Sequence, residues 1–119
     1  MEMETGGRKF AIERDPIATN RFYIFELAGG KRILAGEGIF SFYERDKISL
    51  RNIEIKPPFR GALGAALIRG AYGFLAQAFP ERKTMRYYKL VPGKPRGEKK
   101  IDLERLRAKA SRQPRKRRI

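Results

Sequence analysis

The residues with the clearest chemical potential form a short turn that reads Arg60-Gly61-Ala62-Leu63-Gly64. An isoleucine-rich, strand-like segment precedes this turn, and an amphipathic helical pattern follows it. Glycine lets a backbone approach a ligand closely, and the first N–H groups of a helix attract negative charge. The turn is therefore suited to an anionic group, with Arg60 adding a positive charge. The alternative is a plain connection whose glycines serve only tight packing.

Two residue types that usually carry chemistry are missing from the 119 residues, which contain no histidine and no cysteine. Without cysteine there is no disulfide, no thiolate zinc site and no cysteine nucleophile. Without histidine, the commonest general base and metal ligand is missing as well. We therefore expect no metal site, and any catalysis must depend on carboxylates, tyrosines and backbone groups.

Positive charge dominates the composition, with 28 Lys and Arg against 13 Asp and Glu and a formal net charge of +15. Such an excess attracts polyanions, so nucleic acid, an anionic membrane or an acidic protein surface are the candidate partners. No stretch approaches the roughly 18 apolar residues of a membrane span, and residues 1–7 lack the pattern of a secretory signal. The expectation is an intracellular protein, in the cytoplasm or within a virion, that does not enter a membrane.

Alternating apolar residues and turn signals predict five strands, at residues 9–13, 21–27, 33–43, 48–56 and 84–91. Apolar residues at three- and four-residue intervals predict one long helix over residues 61–79. In the fourth strand the apolar positions change from even to odd across Arg51 and Asn52, which predicts a β-bulge. Gly36 and Gly38 indicate a second bulge or a close backbone approach in the third strand.

The chain divides near Val91, because residues 91–119 hold 12 basic and three acidic residues. We predict a flexible N-terminus at 1–7, an α/β (α+β) core at 8–91, and a basic linker, short helix and tail at 92–119. The prolines and glycines of residues 92–100 favour neither helix nor strand. Asp102 is expected to cap a helix that ends near Ala110, with Ile101 and Leu106 packed across the cap.

The segment 53–68 reads IEIKPPFRGALGAALI and resembles the acetyl-CoA-binding segment of the GCN5-related N-acetyltransferases, the GNAT superfamily. Members typically have a strand that ends in a proline, an aromatic-Arg-Gly step, a further glycine and then branched aliphatic residues. This chain departs from the pattern by one missing residue and by Ala62 in place of a glycine. Residues 15–20 also leave room only for a turn where the family has two helices, and a basic tail replaces the family's final helix and hairpin.

The resemblance implies a mixed, mostly antiparallel sheet in which one main amphipathic helix crosses over to a parallel strand. It also implies that the bulged fourth strand separates from the fifth, and that acetyl-CoA binds between them. The pyrophosphate would meet the turn and the start of the helix. The residues implied in cofactor binding are Ile53, Ile55, Arg60, Gly61, Ala62, Leu63, Gly64 and Ala65.

Acetyl transfer in this family needs a base for the acceptor amine and an acid for the departing thiolate. The resemblance makes Glu54 the candidate base, since partial burial near the strand separation would raise its pKa. Tyr87 or Tyr88 is the candidate acid. The alternative is that Glu54 is a solvated strand residue, and that one tyrosine packs in the core while its neighbour faces water.

The C-terminal region is dense enough in positive charge to predict contact with a polyanion, either nucleic acid or an acidic protein surface. It contains no aromatic residue for base stacking, so contacts would be with phosphates and would weaken in salt. The residues concerned are Arg105, Arg107, Lys109, Arg112, Arg115, Lys116, Arg117 and Arg118. Two functions follow: an acyl-CoA-dependent N-acetyltransferase with a basic docking tail, or a non-catalytic binding module of a nucleoprotein or phage virion.

Overall fold

The computed structural model describes the backbone of residues 1–89 and 97–112, and the side chains of residues 1–87 and 98–109. Within these residues, seven strands form one sheet: β1 Glu2–Thr5, β2 Arg8–Arg14, β3 Arg21–Ala28, β4 Lys31–Tyr43, β5 Lys47–Ile55, β6 Thr84–Lys89 and β7 Gly97–Asp102. Helix α1 spans Ala62–Ala78 between β5 and β6, and helix α2 spans Leu103–Arg112.

The spatial order of the strands follows their order in the sequence, from β1 at one edge to β7 at the other. Every neighbouring pair is antiparallel except β5 and β6, which are parallel and are joined by the α1 crossover. A parallel connection needs a crossover of this kind, whereas the antiparallel pairs need only short turns. The predicted α+β class, the mixed sheet and the crossover helix are confirmed.

The bulge predicted from the parity change in β5 is confirmed. Ile39 pairs with Asn52 and Phe40 pairs with Leu50, so Arg51 is the extra residue. The bulge keeps Ile48 and Leu50 on the same face as Ile55, and all three are buried. Without it, the second half of β5 would turn its apolar side chains away from α1.

Gly36 and Gly38 of β4 mark a bulge and a close approach, the two features between which the sequence did not decide. Ile24 pairs with Gly36 and Phe25 with Leu34, which leaves Ala35 as a bulged residue. A Cβ atom at Gly38 would lie 2.2 Å from the ring of Phe22. The strand therefore has a bulge beside Gly36 and a close approach at Gly38.

Two strands lie where the sequence predicted irregular structure. Strand β1 falls in the supposedly flexible residues 1–7, and it is held because Met3 packs against α1 at Gly70. Strand β7 includes residues 97–100, which were predicted to be a linker, and it pairs with β6 along its length. In both cases a neighbouring strand supplies hydrogen bonds that local propensity does not reveal.

The start of α2 agrees with the sequence. The Arg105 N–H donates to Oδ1 of Asp102 at 3.1 Å, as expected of an N-cap residue. Ile101 and Leu106 on either side of the cap both pack against the core, and Leu103 is completely buried. Helix α2 is thus anchored to the domain.

Candidate functional site

A groove lies between the second half of β5 and the first turns of α1. Its volume is about 610 Å³ and it opens to solvent. The residues that line it are Asn52, Ile53, Glu54, Ile55, Arg60, Gly61, Gly64, Ala65 and Ile68. One carboxylate and one guanidinium are the charged groups in this lining, so the groove is mostly apolar.

The separation of two parallel strands creates the groove. The pairing of β5 with β6 ends at Leu50 and Tyr87, although β5 continues to Ile55 and β6 to Lys89. The bulge at Arg51 follows immediately after the last paired residue. Because a bulge bends its strand and increases its twist, the second half of β5 diverges from β6 at this point.

The turn between β5 and α1 is built by one short 3₁₀ turn, Pro57–Phe59. Phe59 is buried and meets the ring of Phe10 edge-on, which fixes the turn against the core. Gly61 follows with φ +90° and ψ −144°, a backbone conformation that is essentially restricted to glycine. Gly64 leaves little room for a side chain, because a Cβ atom there would lie 3.0 Å from the carbonyl oxygen of Phe59, closer than most Cβ contacts.

The N-terminal end of α1 faces the groove without a cap from the protein. In the part of the chain that the structure describes, no side chain caps this end by a hydrogen bond, and the first turn of α1 contains no acidic residue. The first N–H groups of a helix have no partner within the helix and carry partial positive charge. An anionic group in the groove would therefore meet several N–H donors.

Arg60 lies beside these donors and is exposed. Its Nε donates to the carbonyl oxygen of Ile55 at 2.8 Å, which holds the side chain along the end of β5. Among the described residues no carboxylate forms an ion pair with Arg60. The guanidinium therefore adds positive charge to the groove.

Six of the eight residues implied in cofactor binding line the groove: Ile53, Ile55, Arg60, Gly61, Gly64 and Ala65. Ala62 and Leu63 do not, because the helix turns them away by about 100° per residue, and Leu63 packs against the core. The sequence interpretation missed Asn52 and Ile68. Ile68 could have been found, since it follows Gly64 by four residues and therefore shares its face of the helix.

Glu54 lines the groove, but its side chain is exposed. The expected partial burial is wrong and the alternative, that Glu54 is a solvated strand residue, is confirmed, because β5 directs Ile53 and Ile55 to the helix side and leaves Glu54 on the other face of the sheet. Neither of the two α-helices in the described residues covers that face at this position, and Glu37 of β4 lies directly opposite. Glu54 therefore lies at the edge of the groove, with a second carboxylate beside it.

Tyr87 is half-buried at the point where β5 and β6 separate. Its ring contacts that of Tyr72 on α1, with centroids 5.3 Å apart and planes inclined by 33°. Burial raises the pKa of Tyr72 to about 12, and the neighbouring Tyr87 contributes to the rise. Tyr88 belongs to β6, but its side chain lies outside the described residues.

The structure changes the interpretation of the basic residues. Arg107 donates to three backbone carbonyls at the end of α1 and beyond it, so its guanidinium has a structural role. Arg105 and Lys109 are exposed on α2. The side chain of Arg112 and the whole of residues 113–119, with Arg115, Lys116, Arg117 and Arg118, lie outside the described residues.

Two further observations concern the described residues alone. No group of three or more acidic side chains in this part of the chain is arranged to hold a metal ion. Neither α1 nor α2 has the length and apolar character of a membrane-spanning helix.

Comparison with protein-family models, with curated proteins and with solved structures finds no match for this chain. The assignment of a function therefore depends on the groove itself.

Proposed function

We propose that this chain is a GNAT-like protein that binds acetyl-CoA in the groove and transfers its acetyl group to an amine. The observation that carries the proposal is the separation of β5 and β6 beyond Leu50 and Tyr87, at a bulge and next to an uncapped, glycine-rich helix start. The glycine turn would receive the phosphates, and the unpaired part of β5 would receive the pantetheine arm through its backbone groups.

In the proposed reaction, the acceptor amine attacks the thioester carbonyl, so that a C–N bond forms and the C–S bond breaks. Glu54 at the edge of the groove accepts the proton that leaves the amine. Tyr87 donates a proton to the departing thiolate. After the products leave, Glu54 releases its proton to solvent and Tyr87 recovers one from solvent, so both groups return to their starting states. Glu54→Gln should then lower the rate of transfer to an amine without weakening the binding of acetyl-CoA.

Thermal unfolding with acetyl-CoA is the direct test of binding. A ligand present at 100 times its Kd stabilises the folded state by about 2.7 kcal/mol, which for a domain of this size raises the Tm by several degrees. The absence of any rise at millimolar acetyl-CoA would overturn the proposal.

Ala65→Glu is a suitable variant for this test, because Ala65 lines the groove and is exposed. A carboxylate in the first turn does not disfavour the helix, but it repels a bound phosphate. We expect the variant to fold and to lose the rise in Tm. Gln77→Glu is the matched control, since Gln77 is exposed at the other end of α1 and should leave the rise unchanged.

The exposed cations of α2 support the second candidate function, a non-catalytic module that binds a polyanion. Arg105 and Lys109 are exposed, and the basic residues 113–119 follow them in the sequence. Deletion of the whole C-terminal region is unsuitable as a test, because Leu103 is completely buried and β7 pairs with β6. Truncation after Arg112 leaves these elements in place.

For this second function, random-sequence double-stranded DNA is the probe. The affinity should fall steeply with salt, and the slope should decrease when residues 113–119 are removed or when Arg105 and Lys109 are changed to glutamate. Binding that does not respond to salt would count against it. Acetyl-CoA binding should be the same in the truncated and full-length chains.

A further inference from the structure

One face of α1 runs along the whole groove. Gly61, Gly64, Ala65 and Ile68 line it, and their spacing of three and four residues puts them on one side of the helix. Tyr72 is four residues further along the same side. Tyr72 follows Gly61 by eleven positions, which corresponds to about 16 Å along the helix axis. Tyr72 thus lies on the same helix face, well beyond the glycine turn.

On the strand side, Tyr87 is the last residue of β6 that pairs with β5, and its partner is Leu50. Backbone hydrogen bonds hold the two strands together up to this pair, and Leu50 is only 3% exposed. The gap between the strands therefore narrows to nothing at Tyr87. Leu50 lies two residues from Asn52, the nearest residue of β5 that lines the groove, and we call this point the closed end.

The two tyrosines meet across this closed end. Their ring centroids are 5.3 Å apart, which is van der Waals contact between tilted rings, and both side chains are half-buried. Contact between a helix residue and a strand residue narrows the space between α1 and β6 at this level. The raised pKa of Tyr72 agrees with the partial burial of its hydroxyl and with the neighbouring Tyr87.

We propose that Tyr72 and Tyr87 form an end wall that limits the acyl group in this groove to acetyl or propionyl. The inference rests on the proposed function, in which the phosphates bind at the glycine turn and the thioester points toward the separation of the strands. A longer acyl chain would have to displace one of two packed aromatic rings. Closely packed side chains resist such insertion, so chain length becomes the basis of specificity.

Isothermal titration with acetyl-CoA, butyryl-CoA and hexanoyl-CoA tests this inference on the intact chain. We expect hexanoyl-CoA to bind at least about tenfold more weakly than acetyl-CoA, with butyryl-CoA in between. Tyr72→Ala removes one side of the wall and should bring the affinities for acetyl-CoA and hexanoyl-CoA within about threefold of each other. Tyr72→Phe keeps the ring and should preserve the discrimination of the wild type.

Equal affinity of the wild type for all three thioesters would overturn the end wall but leave the proposed function intact. If none of them binds, and free coenzyme A does not bind either, the proposed function itself fails and this inference fails with it. Tyr87→Leu provides a second opening from the β6 side in case Tyr72→Ala does not fold. If the opened variant that folds still discriminates like the wild type, the tyrosines do not set the length limit.

Discussion

The two ends of helix α1 differ in how their backbone polar groups are satisfied. At the C-terminal end, Arg107 of α2 donates from Nε to the carbonyl of Ala76 at 2.8 Å, and from Nη2 to those of Phe79 at 2.9 Å and Arg82 at 2.5 Å. At the N-terminal end, Gly61 makes no side-chain cap, and the first turn contains no acidic residue. Arg107 thus satisfies carbonyls at the C-terminal end of α1, while the N-terminal end faces the groove.

This difference supports the N-terminal end of α1 as the place where we propose that a ligand binds. A cation near the last carbonyls and an acid near the first N–H groups are each worth about 0.3–1 kcal/mol. Helix α1 has a cation, Arg107, near its last carbonyls, but its first turn contains no acidic residue. An N-terminal carboxylate would stabilise the helix, but it would also occupy or repel the site where we propose that phosphates bind.

The largest expected effect comes from removing the hydrogen bonds that Arg107 makes at the C-terminal end of α1. Arg107→Met keeps an apolar stem but removes three charge-assisted hydrogen bonds and leaves carbonyls without partners. We expect the free energy of unfolding to fall by about 3 kcal/mol, measured by urea denaturation. Arg105→Met is the control, because Arg105 is exposed on the same helix and its loss should change stability by less than about 0.5 kcal/mol. Equal effects of the two variants would contradict a capping role for Arg107.

The next largest effect is expected at the N-terminal end of α1. Gly61 has φ +90° and no atom within 4 Å of a Cβ built on it, so alanine there introduces backbone strain without a clash. We expect Gly61→Ala to lower the free energy of unfolding by about 1–3 kcal/mol and to weaken acetyl-CoA binding, because the turn must change shape. An unchanged stability would show that the turn relaxes easily, which would argue against a preformed phosphate site.

A smaller effect distinguishes two glycines in the middle of α1. No atom lies within 4 Å of a Cβ at Gly73, whereas at Gly70 a Cβ would lie 2.3 Å from the sulfur of Met3. Gly73→Ala should raise the free energy of unfolding by about 0.5–1 kcal/mol through helix propensity alone. Gly70→Ala should gain less or lose stability, because Met3 must move. Equal gains would mean that β1 does not pack tightly on α1.

These glycines also show how far the sequence could predict the fold. A glycine inside a helix costs about 1 kcal/mol relative to alanine, which by itself suggests a close contact at each position, but the structure has one at Gly70 and open space at Gly73. The bulge at Arg51 was predictable, because the apolar pattern of β5 changes parity there and a buried face fixes the register. Strands β1 and β7 were not predictable from the sequence, since their positions depend on pairing with β2 and β6 rather than on their own residues.

The candidate site was predictable to a similar extent. The glycine turn and Arg60 were found because backbone freedom and charge are visible in the sequence. The exposure of Glu54 was one of two alternatives, and the sequence could not decide between them, because it does not show whether a helix covers that face of the sheet. The capping role of Arg107 was hidden for a related reason: a basic residue in a charged segment is expected to face solvent, and its three carbonyl partners are 25 or more residues away in the sequence.

The smallest expected effect concerns Tyr72, which lies between the two ends of α1. Its pKa is raised to about 12 by burial, with a contribution from Tyr87, whereas an unfolded tyrosine titrates near 10. Between these values the unfolded chain loses a proton that the folded chain keeps, so the free energy of unfolding must fall as the pH rises. At about pH 10.5 the difference is less than about 1 kcal/mol, and below pH 9 it vanishes.

The measurement compares the wild type with Tyr72→Phe in urea denaturation from pH 8 to 11. Other groups also titrate in this range, so the informative quantity is the difference between the two proteins at each pH. The wild type should lose stability relative to the variant as the pH rises through 10. A difference that does not vary with pH would mean that water reaches the Tyr72 hydroxyl. Since the end wall requires the two rings to pack against each other without water between them, that result would also weaken the proposed limit on acyl length.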